Sequence, residues 1–298
     1  MWPFKRRKGA AEQGAGDQSG RRGFLSLGGR RYMADAPYML PKDDAEINRL
    51  DFQHYMLRYV LRGNYAPPLQ RPRDILDVGC GTGRWSQEMA RIFPEARVIA
   101  LDIVAPPTEA SPQDPSRPPN YQFVEGDVLK GLPFDAACFD FTHQRALLGA
   151  IPESAWPGVA RELARVTRPG GWVQLIEPAP APQGGSGMNA LASWIQQASM
   201  RRGINTTAGA RIGEFLAQAG LRDITAREIG IPMGGRAGRI GVMAETNYFS
   251  VFANARNFII AMGVTSAEAY DAALAQAHQE LEQGAYISPY YLAYGRRP

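Results

Sequence analysis

Short apolar runs alternate with amphipathic stretches through the middle of the chain. Ile75, Leu76 and Val78 form a run with no polar face, the pattern of a strand buried on both sides. Gly79, Gly81 and Gly83 follow, and a helical pattern starts at Arg84 with Trp85, Met89, Ile92 and Phe93 on its apolar side. Further strands are predicted at 97–102, 121–125, 134–141 and 172–177. A helix at about 153–167 is stopped by Pro169-Gly170-Gly171. Strands alternating with helices imply a parallel, doubly wound α/β sheet. Before it, a helix at about 43–62 carries Ile47, Leu50, Leu57 and Leu61 on one face, and Asp43 with Glu46 three residues on has a capping-box arrangement. After it the pattern is less regular. Helices are predicted near 187–202 and 209–219, a strand at 222–231, a loop at 234–238, an insertion of two helices near 245–262 and 266–283, and a last edge strand at 290–295.

Composition narrows the setting. The chain has 298 residues, 45% of them hydrophobic and 21% charged, which is ordinary for a globular protein. No run approaches the roughly 18 apolar residues of a transmembrane helix, so no membrane span is expected. The basic start, Lys5 to Lys8, leads into Gly-rich polar sequence with no apolar signal core, which argues against secretion. Cys80 and Cys138 are expected to be free thiols, and the expected compartment is the cytoplasm. Residues 1–31 hold eight basic and two acidic side chains, a net +6; the whole chain is +4, so the remainder is −2. The folded body is therefore not basic, which argues against nucleic acid as a partner. Residues 1–31 read as a disordered, solvated tail. The three histidines, His54, His143 and His278, lie far apart, so no metal site is expected.

The glycine turn decides the chemistry. A dinucleotide fingerprint wants Gly-x-Gly-x-x-Gly, but the sixth position counted from Gly79 is Arg84. Asp77 at the strand end would repel a pyrophosphate while suiting an ammonium or sulfonium group. A nucleoside that carries a cation points to S-adenosylmethionine.

Asp77 to Gly83, Asp102 after the second strand, Gly126-Asp127 after the third and Arg168-Pro169-Gly170-Gly171-Trp172 before the fifth together resemble class I S-adenosylmethionine-dependent methyltransferases. The flanking segments Tyr38-x-Leu40-Pro41-x-Asp43-x-x-Glu46-x-x-Arg49-Leu50-x-x-Gln53-His54 and His143-Gln144-Arg145-x-Leu147-Leu148-Gly149-x-Ile151-Pro152 resemble the LaeA-like small-molecule branch. The resemblance implies a Rossmann-like, mostly parallel sheet with an antiparallel last strand. It also implies an N-terminal helical lid at 32–69, and a methyltransferase domain at 70–298 with a helical insertion at about 233–287. It places Asp77, Gly79, Gly81 and Gly83 by the cofactor, with Asp102 and Ile103 at the ribose and Asp127 with Val128 at the adenine. Tyr38, Arg49 and Gln53 become lid contacts to the cofactor, Arg49 by pairing with the methionine carboxylate.

The acceptor side is read from position alone. His143, after the fourth predicted strand, is a candidate base or orienting residue. Glu177, ending the fifth, could hold a polar group of the acceptor. Trp194, Tyr248, Phe249 and Phe252 could line an apolar acceptor pocket, with core packing as the plain alternative. His54 and Cys80 are as readily structural. The expected activity is in-line methyl transfer to a small-molecule acceptor in secondary metabolism. Methylation of RNA or protein through the basic tail, and a cofactor-binding regulator without turnover, are the alternatives.

Overall fold

The computed structural model describes residues 24–33, 38–110, 116–179, 184–284 and 286–298, so residues 1–23 of the expected tail lie outside the described residues, while residues 24–31, expected to be disordered, belong to an antiparallel hairpin that Arg30 ties to Asp43 at 2.7 Å. In chain order the elements are β1 (Phe24–Leu27), β2 (Arg30–Met33), α1 (Asp44–Leu61), β3 (Asp74–Val78), α2 (Arg84–Ile92), β4 (Arg97–Asp102), β5 (Tyr121–Glu125), β6 (Phe139–Arg145), α3 (Trp156–Val166), β7 (Thr167–Pro178), α4 (Ser186–Met200), α5 (Ile212–Gln218), β8 (Arg222–Met233), α6 (Gly238–Ala261), α7 (Ala267–Gln283) and β9 (Tyr286–Arg296).

Seven strands form one sheet in the order β5-β4-β3-β6-β7-β9-β8. β9 runs antiparallel to both β7 and β8, while the pairs among β3 to β7 are parallel. The apolar run in β3 has the two-sided burial that its sequence predicts. Ile75 packs with Trp85 and Met89 of α2, and Leu76 and Val78 pack on the other face with Trp156 and Leu163 of α3. A third cluster joins α1, α4, α6 and α7 over the β9 side of the sheet, with Met56, Leu191, Phe252 and Tyr270 among its buried members.

Three expectations shift. The last strand is not an edge: β9 sits between β7 and β8, and its Leu292 and Ala293 are fully buried. The fourth core strand begins at Phe139, because Ala137 turns with φ +58°, and it runs on through Thr142, His143 and Gln144, all buried. The loop predicted at 234–238 is short, and α6 starts at Gly238. At the N-terminus Asp43 caps α1 by accepting from the Glu46 N–H at 3.2 Å. The Glu46 side chain, however, turns inward and holds Arg49.

Candidate active site

Two cavities meet at the carboxyl edge of the sheet, where open parallel sheets place their ligands. The first, of about 170 Å³, lies over the turn after β3 and the ends of β4 and β5, and is covered by α1. The second, of about 440 Å³, lies between α1, α4, α6 and the start of β9. Tyr38, Gln53 and Ala146 line both. Ala146 has φ +56°, a conformation strained for any residue with a side chain, at this junction.

The first cavity is built from backbone. Gly79 and Cys80 donate to the Leu101 carbonyl at 2.7 and 3.0 Å, which ties the turn to β4. Gly79 has φ +72°, and a Cβ there would stand 2.5 Å from the Leu147 side chain, so the position requires glycine. Asp102 accepts from the Gly81 N–H at 2.9 Å through one oxygen and from the Val104 N–H at 3.2 Å through the other. Each oxygen keeps a second lone pair for a ligand. Asp127 caps the short turn that follows β5, accepting from the Leu129 N–H at 3.1 Å.

Three titratable groups, Asp77, Arg145 and His54, stand together at the inner end of this cavity. Asp77 is 3% exposed and accepts from the Ser86 hydroxyl. Desolvation pushes its carboxyl up to about 7, with the Ser86 hydrogen bond and the Arg145 charge opposing the rise. Arg145, at the end of β6, places its guanidinium 3.1 Å from His54 Nδ1, and burial lowers its pKa. His54 is held down to about 4, first by desolvation and then by Arg145, so the ring is neutral. Its Nδ1 then accepts from Arg145, and Nε2 lies 3.1 Å from Glu88.

Most of the expected cofactor residues converge here. Asp77, Gly79, Gly81, Asp102, Ile103, Asp127 and Val128 line the first cavity with Tyr38 and Gln53. Two do not. Gly83 stands behind the turn, where it opens α2 with φ +76° and donates to the Cys80 carbonyl. Arg49 faces the second cavity, and Glu46 already binds it through two hydrogen bonds of 2.8 and 2.6 Å. Three cations among the described residues line the first cavity, Lys42, Arg84 and Arg145; Arg84 is paired with Asp51 at 2.9 Å, and Arg145 stands two residues beyond the histidine singled out from sequence.

On the acceptor side Tyr248 and Phe252 line the second cavity. The other expected residues face elsewhere. His143 is 1% exposed, stacks on Trp85 at 4.0 Å and lies 3.1 Å from Gln174 through Nδ1. It lines neither cavity, and desolvation drives its pKa well below normal. It pairs in register with Asp77, inside the sheet, so it cannot take a proton from an acceptor. Glu177 is fully buried and accepts from the Leu148 N–H at 2.8 Å, bracing the turn after β6 from behind. Trp194 stacks on Tyr270 at 5.7 Å and Phe249 on His278 at 3.6 Å, away from the cavity.

A doubly wound sheet with a glycine turn after its first core strand, and an acid at the end of the next, defines a nucleoside-cofactor site. Comparison with known proteins gives the class. Residues 75–171 match the methyltransferase domain family. The chain is 29% identical to the N-methyltransferase sirN of Leptosphaeria maculans, over 89% of this chain and 96% of that protein. It is 30% identical to the secondary metabolism regulator LAE1 of Cochliobolus heterostrophus, over 65% of this chain and 66% of that protein. The chain spans about half the length of other fungal methyltransferases that it matches. The fold is shared with a Haemonchus contortus phosphoethanolamine N-methyltransferase in complex with S-adenosylhomocysteine, at a TM-score of 0.50 and 16% identity, over 83% of this chain and 58% of that one. The chain belongs to the S-adenosylmethionine-dependent methyltransferases, and its relatives include the LaeA-like proteins and fungal secondary-metabolite methyltransferases.

Proposed function

We propose that the protein methylates a small molecule held in the second cavity, using S-adenosylmethionine held in the first, and works as a cytoplasmic enzyme. The observation that carries this reading is the junction: two cavities of different character share, among the described residues, Tyr38, Gln53 and Ala146. The first suits the cofactor group by group. Asp77 is a buried carboxylate that lacks a cation in contact, and Arg145 is a half-buried guanidinium whose contact is a neutral ring. An amino-acid end brings the ammonium and the carboxylate that both need. Asp102 offers lone pairs to a ribose diol, and Asp127 with Val128 borders the space beyond it.

S-adenosylmethionine supplies a methyl group on a sulfonium centre, which a nucleophile displaces in line. The protein's part is placement and exclusion of water. At the junction Tyr38 donates its hydroxyl to Glu46 at 2.9 Å and Gln53 offers an amide, so no side chain there is a base. The acceptor atom therefore attacks as an already electron-rich group. The second cavity lies between helices, which favours a small molecule over RNA or a protein surface.

Calorimetry with S-adenosylhomocysteine tests the cofactor half. Wild type binds, and Asp102→Ala and Gly81→Val each weaken binding at least about tenfold. No binding by wild type, or no effect of either change, overturns the reading.

A further inference from the structure

One wall of the second cavity carries a hydrogen-bond network that ends on the Tyr290 hydroxyl. Tyr38 donates to Glu46, and Arg49 gives two further hydrogen bonds to the same carboxylate. The remaining Arg49 arm donates to Asn247 Oδ1 at 3.1 Å. That contact fixes the amide, so Asn247 Nδ2 points to the Tyr290 hydroxyl oxygen at 3.4 Å. Gln53 Nε2 reaches the same oxygen at 3.1 Å. The Tyr290 oxygen thus accepts twice, which uses both of its lone pairs. Its own proton has no acceptor in this network, and Tyr290 lines the cavity. The hydroxyl is left to donate to whatever fills that space.

The rest of the lining says what kind of molecule that is. Among the described residues no carboxylate lines the cavity, and the one charged side chain that does, Arg49, is already neutralised by Glu46. An ammonium group would enter unpaired and desolvated, and an anion would find no unpaired cation. Val251, Phe252, Ile195 and Leu148 supply an apolar body. We propose that the second cavity takes a neutral, largely apolar acceptor carrying a carbonyl oxygen, and that the Tyr290 hydroxyl orients it by donating to that oxygen. The proposal rests on the reading of this cavity as the acceptor site. Tyr290 is a positioning residue here: no bond to it forms or breaks.

The test uses three probes with one ring system, acetylnaphthalene, naphthalene and naphthylmethylammonium, titrated into the full chain saturated with S-adenosylhomocysteine and followed by ligand-observed NMR. Acetylnaphthalene is expected to bind about fivefold tighter than naphthalene. The ammonium probe is expected to bind at least about 100-fold more weakly than the ketone. Tyr290→Phe is expected to remove the ketone's advantage and leave naphthalene unchanged. An ammonium probe as tight as the ketone, a ketone no tighter than naphthalene, equal loss of both neutral probes in Tyr290→Phe, or no binding by any probe overturns the proposal. If Tyr290→Phe does not fold, the ranking on wild type decides. Saturation with S-adenosylhomocysteine is checked first by its binding heat. Its absence in wild type sinks the methyltransferase reading, whereas a wrong ranking with that heat intact sinks only this inference.

Discussion

The two cavities differ in what their walls are made of. The first is closed on its sheet side by main chain and strand ends drawn from residues 77–128, with Arg145 and α1 added over the top. The second is walled by side chains from segments as far apart as Tyr38, Ser193, Asn247 and Tyr290. A wall of backbone fixes one ligand shape and tolerates little change. A wall of side chains on helices can be re-cut without disturbing the sheet. One cofactor with many acceptors needs that division, and changes in the two walls should have different signatures.

The largest expected effect is on the second wall's hub. Glu46 is 1% exposed and accepts from Tyr38, Arg49 and Asn254. Glu46→Ala leaves Arg49 buried without its counter-charge and should cost about 3–5 kcal/mol, read as a lower urea midpoint. A loss under about 1 kcal/mol would show that the network is not what holds the N-terminal segment to α6.

Next comes the backbone wall. Gly79→Ala imposes a side chain at φ +72° and drives Leu147 into the first cavity. Binding of S-adenosylhomocysteine should weaken by about 2 kcal/mol while the melting temperature changes less than for Glu46→Ala.

The pH dependence is smaller per pH unit and separates the cavities again. Asp77 titrates near 7 in the folded protein against 3.8 for the ordinary group. It must be ionised to hold an ammonium, so affinity for S-adenosylhomocysteine should rise up to about tenfold per unit as pH climbs toward 7 and then level off. Without the cofactor the folded chain binds this proton more tightly than the unfolded chain. Stability should therefore fall as pH rises from about 4 to 7, and the fall continues toward 8 through Glu177, itself pushed up to about 8 by burial. Asp77→Asn should flatten the affinity profile, and an unchanged profile would remove Asp77 from the site.

The smallest effects are expected where function is absent or strain is local. His143→Gln should leave the pH profile of cofactor binding unaltered, at a stability cost of about 1–2 kcal/mol for lost packing on Trp85. A shifted profile would restore a functional role to His143. Ala146→Gly should change stability by less than about 1 kcal/mol, in the stabilising direction, since it relieves φ +56° at the junction.

What the sequence could convey follows the same division. The glycine turn, Asp102 and Asp127 act close to their own strands, so local pattern places them. Asp43 likewise caps α1 as its spacing with Glu46 indicates. The sequence misplaces His143 because Thr142, His143 and Gln144 are polar, yet each is buried in β6, so the strand continues where the apolar run stops. That continuation carries Arg145, two residues on along the same face, to the strand end at the cavity, with His143 one step inside the sheet. Arg49 looked free because its partner Glu46 was assigned to capping. The separation of Trp194 and Phe249 from Tyr248 and Phe252 depends on how α4, α6 and α7 pack, which helical periodicity leaves open.

The central claim is that the methyl group goes to a small molecule and that the first cavity alone holds its donor. The direct measurement is transfer of labelled methyl from S-adenosylmethionine into an extract divided into small-molecule, protein and RNA fractions, with wild type and Asp102→Ala side by side. Label is expected in the small-molecule fraction and is lost with Asp102→Ala. Label in protein or RNA, or transfer that survives Asp102→Ala undiminished, would contradict it.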